Sequence, residues 1–154
     1  MPSPPATRIR PARLTDLPAL LAMMATFNRE EAIAWRPKRI LPALRRLLRD
    51  ARLGRVVVSI GDGGALDGYA VATFGYDLEY AGPDAFLTEL FVRPQRRRAG
   101  EGRRLLTAIT NLMRDGGAAA IHLAVWPRNR RARRLYESSG FAPLPRLVLT
   151  KRLA

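Results

Sequence analysis

The sequence predicts a mixed α/β fold built as one domain. Three observations carry this reading: short apolar runs bounded by glycine and proline, longer segments whose apolar residues recur at helical spacing, and the interleaving of the two along 154 residues. With 47% hydrophobic residues the chain can bury a sizeable core, and no linker or shift in composition divides it. The domain is expected over residues 7–154, with the proline-rich Met1–Ala6 disordered for want of apolar anchors.

The elements follow in order. Thr7–Arg10 is a short first strand, and Thr15 is placed to cap a helix running from Asp16 to about Phe27. Pro37 suits the first turn of a second helical stretch that reaches Arg49. Arg55–Ile60 and Leu66–Phe74 are strands, joined through Gly61-Asp62-Gly63-Gly64 as a hairpin. Phe86–Val92 (FLTELFV) is a strand ended by Pro94, and Arg103–Arg114 is an amphipathic helix with Leu105, Leu106, Ile109 and Met113 on one side. Ala120–Val125 is a strand interrupted by Pro127. Asn129–Ser139 is a helix closed by Gly140 in a left-handed cap, with Phe141 able to pack back. Leu144–Leu149 is expected to close the sheet, its Pro143 and Pro145 marking an irregular or edge start.

The most informative segment is Val92–Leu106, VRPQRRRAGEGRRLL, which sets a basic, glycine-bearing loop between a strand and a helix. Gly100 and Gly102 permit backbone dihedrals that a Cβ opposes. Successive N–H groups can therefore point at a common anion where the helix leaves its first amides unpaired. A phosphate or pyrophosphate is the natural guest. Taken alone, the loop is equally compatible with a glycine turn before a solvated, arginine-rich helix. It lacks both the G-x-G-x-x-G of a dinucleotide fold and the G-K-[ST] of a P-loop, which argues against nicotinamide and nucleotide-triphosphate chemistry. In WPRNRRARRLYESSGF, Asn129, Ala132 and Tyr136 fall at spacings of three and four and share one helix face. The small Ala132 between an amide and a phenol either admits a ligand or packs on the sheet.

On these residues the chain resembles the GNAT superfamily of acyl-CoA-dependent N-acyltransferases. Arg97-x-x-Gly100-x-Gly102 is similar to that family's cofactor-loop motif, and Asn129-x-x-Ala132-x-x-x-Tyr136-x-x-x-Gly140-Phe141 to the motif of its penultimate helix. The resemblance is strongest from Leu87 to Phe141. It implies a central, mostly antiparallel twisted sheet of six or seven strands flanked by about four helices, and an N-acetyltransferase that uses acetyl-CoA. Backbone groups of Leu90, Phe91 and Val92 would meet the pantetheine arm. Arg97, Arg98, Ala99, Gly100, Glu101, Gly102 and Arg103 would form the pyrophosphate loop, and Asn129, Ala132 and Tyr136 would line the cofactor's path. Tyr136 would protonate the departing thiolate, against the alternative of a core tyrosine. Two departures stand out: Arg98 where the family usually has glycine, and Glu101 where it usually has an aliphatic residue. Glu101 would repel pyrophosphate if it faced inward but suits a helix's first turn, so it is expected to point away.

An amine attacks a thioester only with its lone pair free, so a primary ammonium must first lose a proton, which a carboxylate acting through water could take. Glu89, within an apolar strand, is the candidate; a structural or solvent-facing carboxylate is the competing reading. For the acceptor, Phe27, Trp35, Tyr76, Glu79 and Tyr80 are candidate wall residues. The acidic stretch Gly75–Asp84 (Asp77, Glu79, Asp84) favours a cationic acceptor such as a polyamine, an aminoglycoside-like amine or a peptide amino terminus, or is an ordinary solvated loop.

Composition bounds the rest. The chain has no cysteine, which removes disulfides and thiolate sites, and its one histidine, His122, reads as a sheet residue, so no metal is expected. No uncharged apolar run approaches about 18 residues and the amino terminus has no signal-peptide core, giving the expectation of a soluble cytoplasmic protein without a membrane partner. The formal net charge of +14 raises nucleic-acid binding as an alternative. Against it, the densest arginine blocks flank the proposed pyrophosphate loop, where they can steer a polyanionic cofactor, and no nucleic-acid-reading motif occurs. A catalytically inactive CoA-binding regulator is a second alternative. A homodimer is compatible with the resemblance, with the VLTKRLA tail as a candidate contact.

Overall fold

The computed structural model describes residues 8–154, so the expectations for Met1–Ala6 and Thr7 lie outside the described residues. Five strands among them form one sheet in sequential order: β1 Arg8–Pro11, β2 Gly54–Ile60, β3 Leu66–Asp77, β4 Gly82–Val92 and β5 Ile121–Leu123. Neighbours pair antiparallel except β5, which runs parallel to β4. Four helices accompany the sheet: α1 Leu17–Glu30, α2 Pro37–Arg49, α3 Glu101–Asp115 and α4 Arg130–Ser138. This is the mixed, mostly antiparallel α/β fold the sequence predicts.

The sheet has five strands rather than six or seven because Leu144–Leu149 does not join it. Pro143 and Pro145 offer no N–H to a ladder. Leu147 and Leu149 stand 88% exposed instead of packing on a core.

Side-chain alternation along the strands sets the layers. Val56, Val58, Tyr69 and Val71 face α1 and α2, packing with Leu20, Met23, Met24 and Leu44. Val57, Ala70, Ala72 and Ala85 face the other way, against Leu105, Leu106, Ile109 and Met113 of α3. The small alanines on that face let α3 lie close to the sheet, while Tyr69 fills the space under α1.

One irregularity in β4 reassigns its faces. Val71 pairs with Glu89 but Ala72 pairs with Leu87, so Thr88 is an extra residue, a β-bulge. Leu87, Glu89 and Phe91 would share one face of a regular strand. Because of the bulge, Leu87 packs in the α3 core while Phe91 packs in the α1 core.

Two local expectations change. Asp16, not Thr15, organises the start of α1: after a 3-10 turn at Leu14–Asp16, its carboxylate accepts from the Arg13 amide at 2.7 Å and from the Arg10 guanidinium at 2.7 and 3.0 Å. A carboxylate offers two oxygens and can accept a bidentate guanidinium together with an amide, more than the two lone pairs of a hydroxyl allow. The stretch Gly75–Asp84 is not an open loop. It is the tip of the β3–β4 hairpin, with Gly75, Tyr76 and Asp77 paired to Asp84, Pro83 and Gly82 and the reversal made by a 3-10 turn at Leu78–Tyr80.

The Arg10 hydrogen bonds hold the buried Asp16 carboxyl below its ordinary value of 3.8. Asp16→Asn is expected to cost about 2 kcal/mol at neutral pH in urea unfolding. Because the folded-state pKa is lowered, this contribution is present above the ordinary value and is lost as pH falls through the folded one. The stabilities of the variant and the parent should converge there.

Candidate active site

The site begins where two parallel strands part. β4 and β5 pair only from Ala85–Leu87 to Ile121–Leu123, after which β4 stays beside β3 and the other chain leaves through Ala124, Val125 and Trp126. Two adjoining cavities occupy the opening. The larger, about 330 Å³, lies between the end of β4, the start of α3 and α4. The smaller, about 180 Å³, lies between Leu87–Leu90 and Leu123–Trp126. Phe27, Glu31, Leu90, Asn129, Ala132 and Tyr136 border both and make them one cleft.

At the α3 end the backbone is shaped for an anion. Arg98 has φ 69 and Gly100 φ 80, both left-handed, and α3 starts at the next residue. No described residue accepts a hydrogen bond from the amides of Arg98 to Arg103; the first α3 amide with a partner is Arg104, at 3.1 Å from the Gly100 carbonyl. A run of free N–H groups at the positive end of a helix dipole attracts phosphate-like groups. A Cβ on Gly102 would stand 3.4 Å from Leu135 and 3.9 Å from Val92, both cavity residues, so glycine keeps the cavity floor open there.

Of the predicted cofactor residues, Leu90, Phe91, Val92, Arg97, Arg98, Gly100, Glu101, Gly102, Arg103, Asn129, Ala132 and Tyr136 line the larger cavity. Ala99 does not; its carbonyl accepts from Arg104 at 3.1 Å. Arg97 turns inward as a brace, donating to the Val92 carbonyl at 2.8 Å and to both Glu30 oxygens at 2.9 Å. Asn129 caps α4, its Oδ1 accepting from the Ala132 amide at 3.1 Å, which leaves the side-chain NH2 free to donate. Glu101 does not project into solvent. It is 4% exposed, with one oxygen on Arg104 at 2.8 Å and the other, Oε1, without a partner.

The bulge at Thr88 places Glu89 against β3. The hydroxyl of Tyr69, fully buried, donates to Glu89 Oε1 at 2.8 Å, and the Tyr69 ring stands 5.8 Å from Phe91 and 6.5 Å from Phe27. Burial raises the Glu89 carboxyl above the ordinary glutamate range, although the Tyr69 hydrogen bond pulls it down. Tyr136, on α4 and edge-on to Phe141 at 5.8 Å, has its phenol pushed up to about 12 by burial and, secondarily, by Glu31. It keeps its proton at neutral pH.

Among the acceptor candidates, Phe27 lines both cavities. Trp35 packs against the α1 core, Tyr76 and Glu79 lie on the exposed hairpin tip, and Tyr80 leans on His122 at 5.5 Å; none of the four borders the cleft. His122 is a sheet residue as read, 3.2 Å from Asp84. The carboxylates that border the cleft are instead Glu30, Glu31, Glu89 and Glu101. Glu31 accepts from the Trp126 indole at 2.9 Å, a contact across the opening that the sequence does not reveal. One signal was available: two glutamates at the C-terminal end of a helix oppose its dipole, which points to partners from elsewhere in the fold.

A model of the Acetyltransferase (GNAT) family matches residues 20–141. The chain belongs to that family. The GNAT fold superposes on the integron cassette protein HFX_CASS3, from the mobile metagenome of Cole Harbour Salt Marsh, with a TM-score of 0.83 and 30% identity over 95% of this chain and 90% of that one. It superposes on aminoglycoside N-acetyltransferase AAC(6')-Iy in complex with CoA with a TM-score of 0.84, over 100% and 99% of the two chains; at 18% identity this is a likeness of fold. Thialysine N-epsilon-acetyltransferase of Bos taurus is 30% identical over 73 residues, 47% of this chain and 42% of that protein. The chain spans less than half the length of the curated relatives it matches. No helix of the described residues is long and apolar enough to cross a membrane, and no group of three or more His, Asp or Glu among them could hold a metal ion.

The left-handed φ of Arg98 explains why glycine is usual at this position in GNAT loops, and an arginine there carries conformational strain. Arg98→Gly in this GNAT protein is expected to raise stability by about 1 kcal/mol, the relieved strain exceeding the added chain entropy. Thermal unfolding of the two proteins checks this; a lower melting temperature for the variant would contradict it.

Proposed function

We propose that this GNAT protein transfers an acetyl group from acetyl-CoA to a primary amine of a small molecule or peptide, by direct attack in a ternary complex. The observation that carries the reading is the run of partnerless amides at the start of α3, opening onto a cleft that also holds a protonated phenol and a buried carboxylate. Acetyl transfer is also the activity that the names of its relatives state.

The residues present fit the cofactor. Amides of Arg98 to Arg103 would bind the pyrophosphate, the NH2 of Asn129 would donate to the pantetheine arm, and the end of β4, unpaired toward β5, would offer backbone groups beside it. Within the loop Glu101 is the discordant charge, offset by Arg104 at 2.8 Å, while Glu30 on the same cavity is paired with Arg97. When bound, acetyl-CoA would supply the acetyl group as an activated thioester. Tyr136 would give its Oη proton to the departing sulfur. Glu89 would take the ammonium proton through water at Oε2, since Oε1 is held by Tyr69. Burial suits Glu89 to this work by raising its proton affinity. Glu31 and Glu89 border the smaller cavity, which favours a cationic acceptor there over a neutral one.

Calorimetric titration of acetyl-CoA is expected to show saturable one-site binding that survives moderate salt, with thiol release that depends on an added amine. Binding erased by salt and shared with a simple anionic polymer would overturn the reading. Tyr136→Phe should lower kcat about 100-fold while leaving acetyl-CoA binding nearly unchanged. Equal turnover in the two proteins would exclude Tyr136 as the acid.

Tyr69 extends the site by one residue. Tyr69→Phe removes the hydrogen bond that lowers the Glu89 pKa, so the acid limb of the kcat profile is expected to move to higher pH. An unmoved limb would show that Tyr69 only packs, and full activity in Glu89→Gln would remove Glu89 from the mechanism altogether.

A further inference from the structure

The cleft is electrically divided. Its larger cavity is bordered by Arg97, Arg98, Arg103 and Arg131. The smaller cavity is bordered by no arginine, lysine or histidine among the described residues, yet it carries Glu31 and Glu89. In a chain whose formal net charge is +14, a pocket with two carboxylates and no cation calls for a ligand that brings the positive charge.

Ion pairing separates the same two residues from the other carboxylates of the cleft. Glu30 is paired with Arg97 at 2.9 Å and Glu101 with Arg104 at 2.8 Å, whereas Glu31 and Glu89 make no ion pair among the described residues. Each has one oxygen on a neutral donor instead: Glu89 Oε1 on the Tyr69 hydroxyl at 2.8 Å, Glu31 Oε2 on the Trp126 indole at 2.9 Å. Neither donor carries a charge, so the bonds fix the two carboxylates without neutralising them.

Acetyl transfer accounts for only one of the pair. The attacking nitrogen must give up its proton, which Glu89 takes, so its positive charge is gone before the bond to the acetyl carbon forms. A second uncompensated carboxylate beside that step is unfavourable. It holds the proton on the ammonium and opposes the negative charge that gathers on the attacked carbonyl oxygen. Glu31 already acts this way on a neighbour, since its charge adds to the burial that raises the Tyr136 phenol. An acceptor with another nitrogen that stays protonated removes this cost by placing the cation on Glu31. The surrounding walls suit such a molecule. Phe27, Leu87, Leu123 and Val125 fit a hydrocarbon spacer, and the Trp126 ring accepts cations, with the Arg128 guanidinium 4.5 Å from its centroid.

We propose, resting on the acetyl-transfer reading, that Glu31 sets acceptor specificity and that the acceptor is an aliphatic diamine or polyamine. One primary nitrogen is acetylated beside Glu89, while a second, left as ammonium, pairs with Glu31 Oε1. An amine that carries its own carboxylate finds no cation in this cavity to receive it and is selected against.

Steady-state kinetics of the full chain with acetyl-CoA tests this, using straight-chain α,ω-diamines with the monoamines and ω-amino acids of equal length. The best diamine is expected to exceed its monoamine roughly 30-fold in kcat/KM, with the ω-amino acid below both. In Glu31→Gln, whose amide oxygen still accepts from Trp126, the ratio of diamine to monoamine should fall close to unity, chiefly through KM. Glu31→Lys should reverse the order and place the ω-amino acid ahead of the diamine. A parent that acetylates diamines and monoamines equally well would overturn the inference and leave the acetyl-transfer reading standing. A ratio unmoved in Glu31→Gln would take the selection away from Glu31, and no transfer to any amine of the series would overturn both readings.

Discussion

The parting of β4 from β5 is the constraint on which the rest of the structure depends. A parallel pair that separates after three residues leaves backbone and side chains facing a gap that a continued ladder would have closed. The bulge at Thr88 acts at the same place. It leaves Leu87 in the α3 core and turns Glu89 toward Tyr69 on the opposite face, so one inserted residue settles both the support of α3 and the surroundings of the carboxylate. Both cavities, the free amides of α3 and the face of α4 are arranged around this opening.

Holding the opening requires bracing from outside the sheet, and the end of α1 supplies it. Glu30 grips Arg97 at the loop, while Glu31 takes the indole of Trp126 on the far wall. Each glutamate sits unfavourably with respect to the dipole of its own helix, and each is compensated by a donor 67 or 95 residues away. The same two residues border the cleft. Glu30 pairs with Arg97 in the loop before α3, and Glu31 adds to the burial that keeps Tyr136 protonated. Glu101 shows the tension from the other side: a buried carboxylate at the start of α3 with one oxygen on Arg104 and the other without a partner.

Much of the site was legible because its signals are local. Two glycines and a strand-to-helix transition mark the candidate anion loop within a few residues, and Asn129, Ala132 and Tyr136 share a face through the helical repeat alone. Gly140, at φ 95, closes α4 as read, and Phe141 folds back onto Tyr136. The hairpin tip was misread because Gly75, Pro83 and Asp84 look like loop residues, whereas the register set by the rest of β3 and β4 carries the pairing through them. The Asp16 cap was missed for a related reason, since its advantage over Thr15 lies in Arg10, a residue of the neighbouring strand.

The sequence by itself determined the alternation of strands and helices, the glycine-bearing turn before α3 and the shared face of Asn129, Ala132 and Tyr136, since each rests on the periodicity or stereochemistry of a few consecutive residues. Only the tertiary structure decided that Tyr69 holds Glu89, that Glu30 and Glu31 span the cleft, and that the last strand-like segment lies outside the sheet. Those outcomes depend on contacts between residues far apart in the chain, and on a bulge whose effect is a change of face. A strand's alternation says that it has two sides; what lies on either side is settled by the packing of everything else.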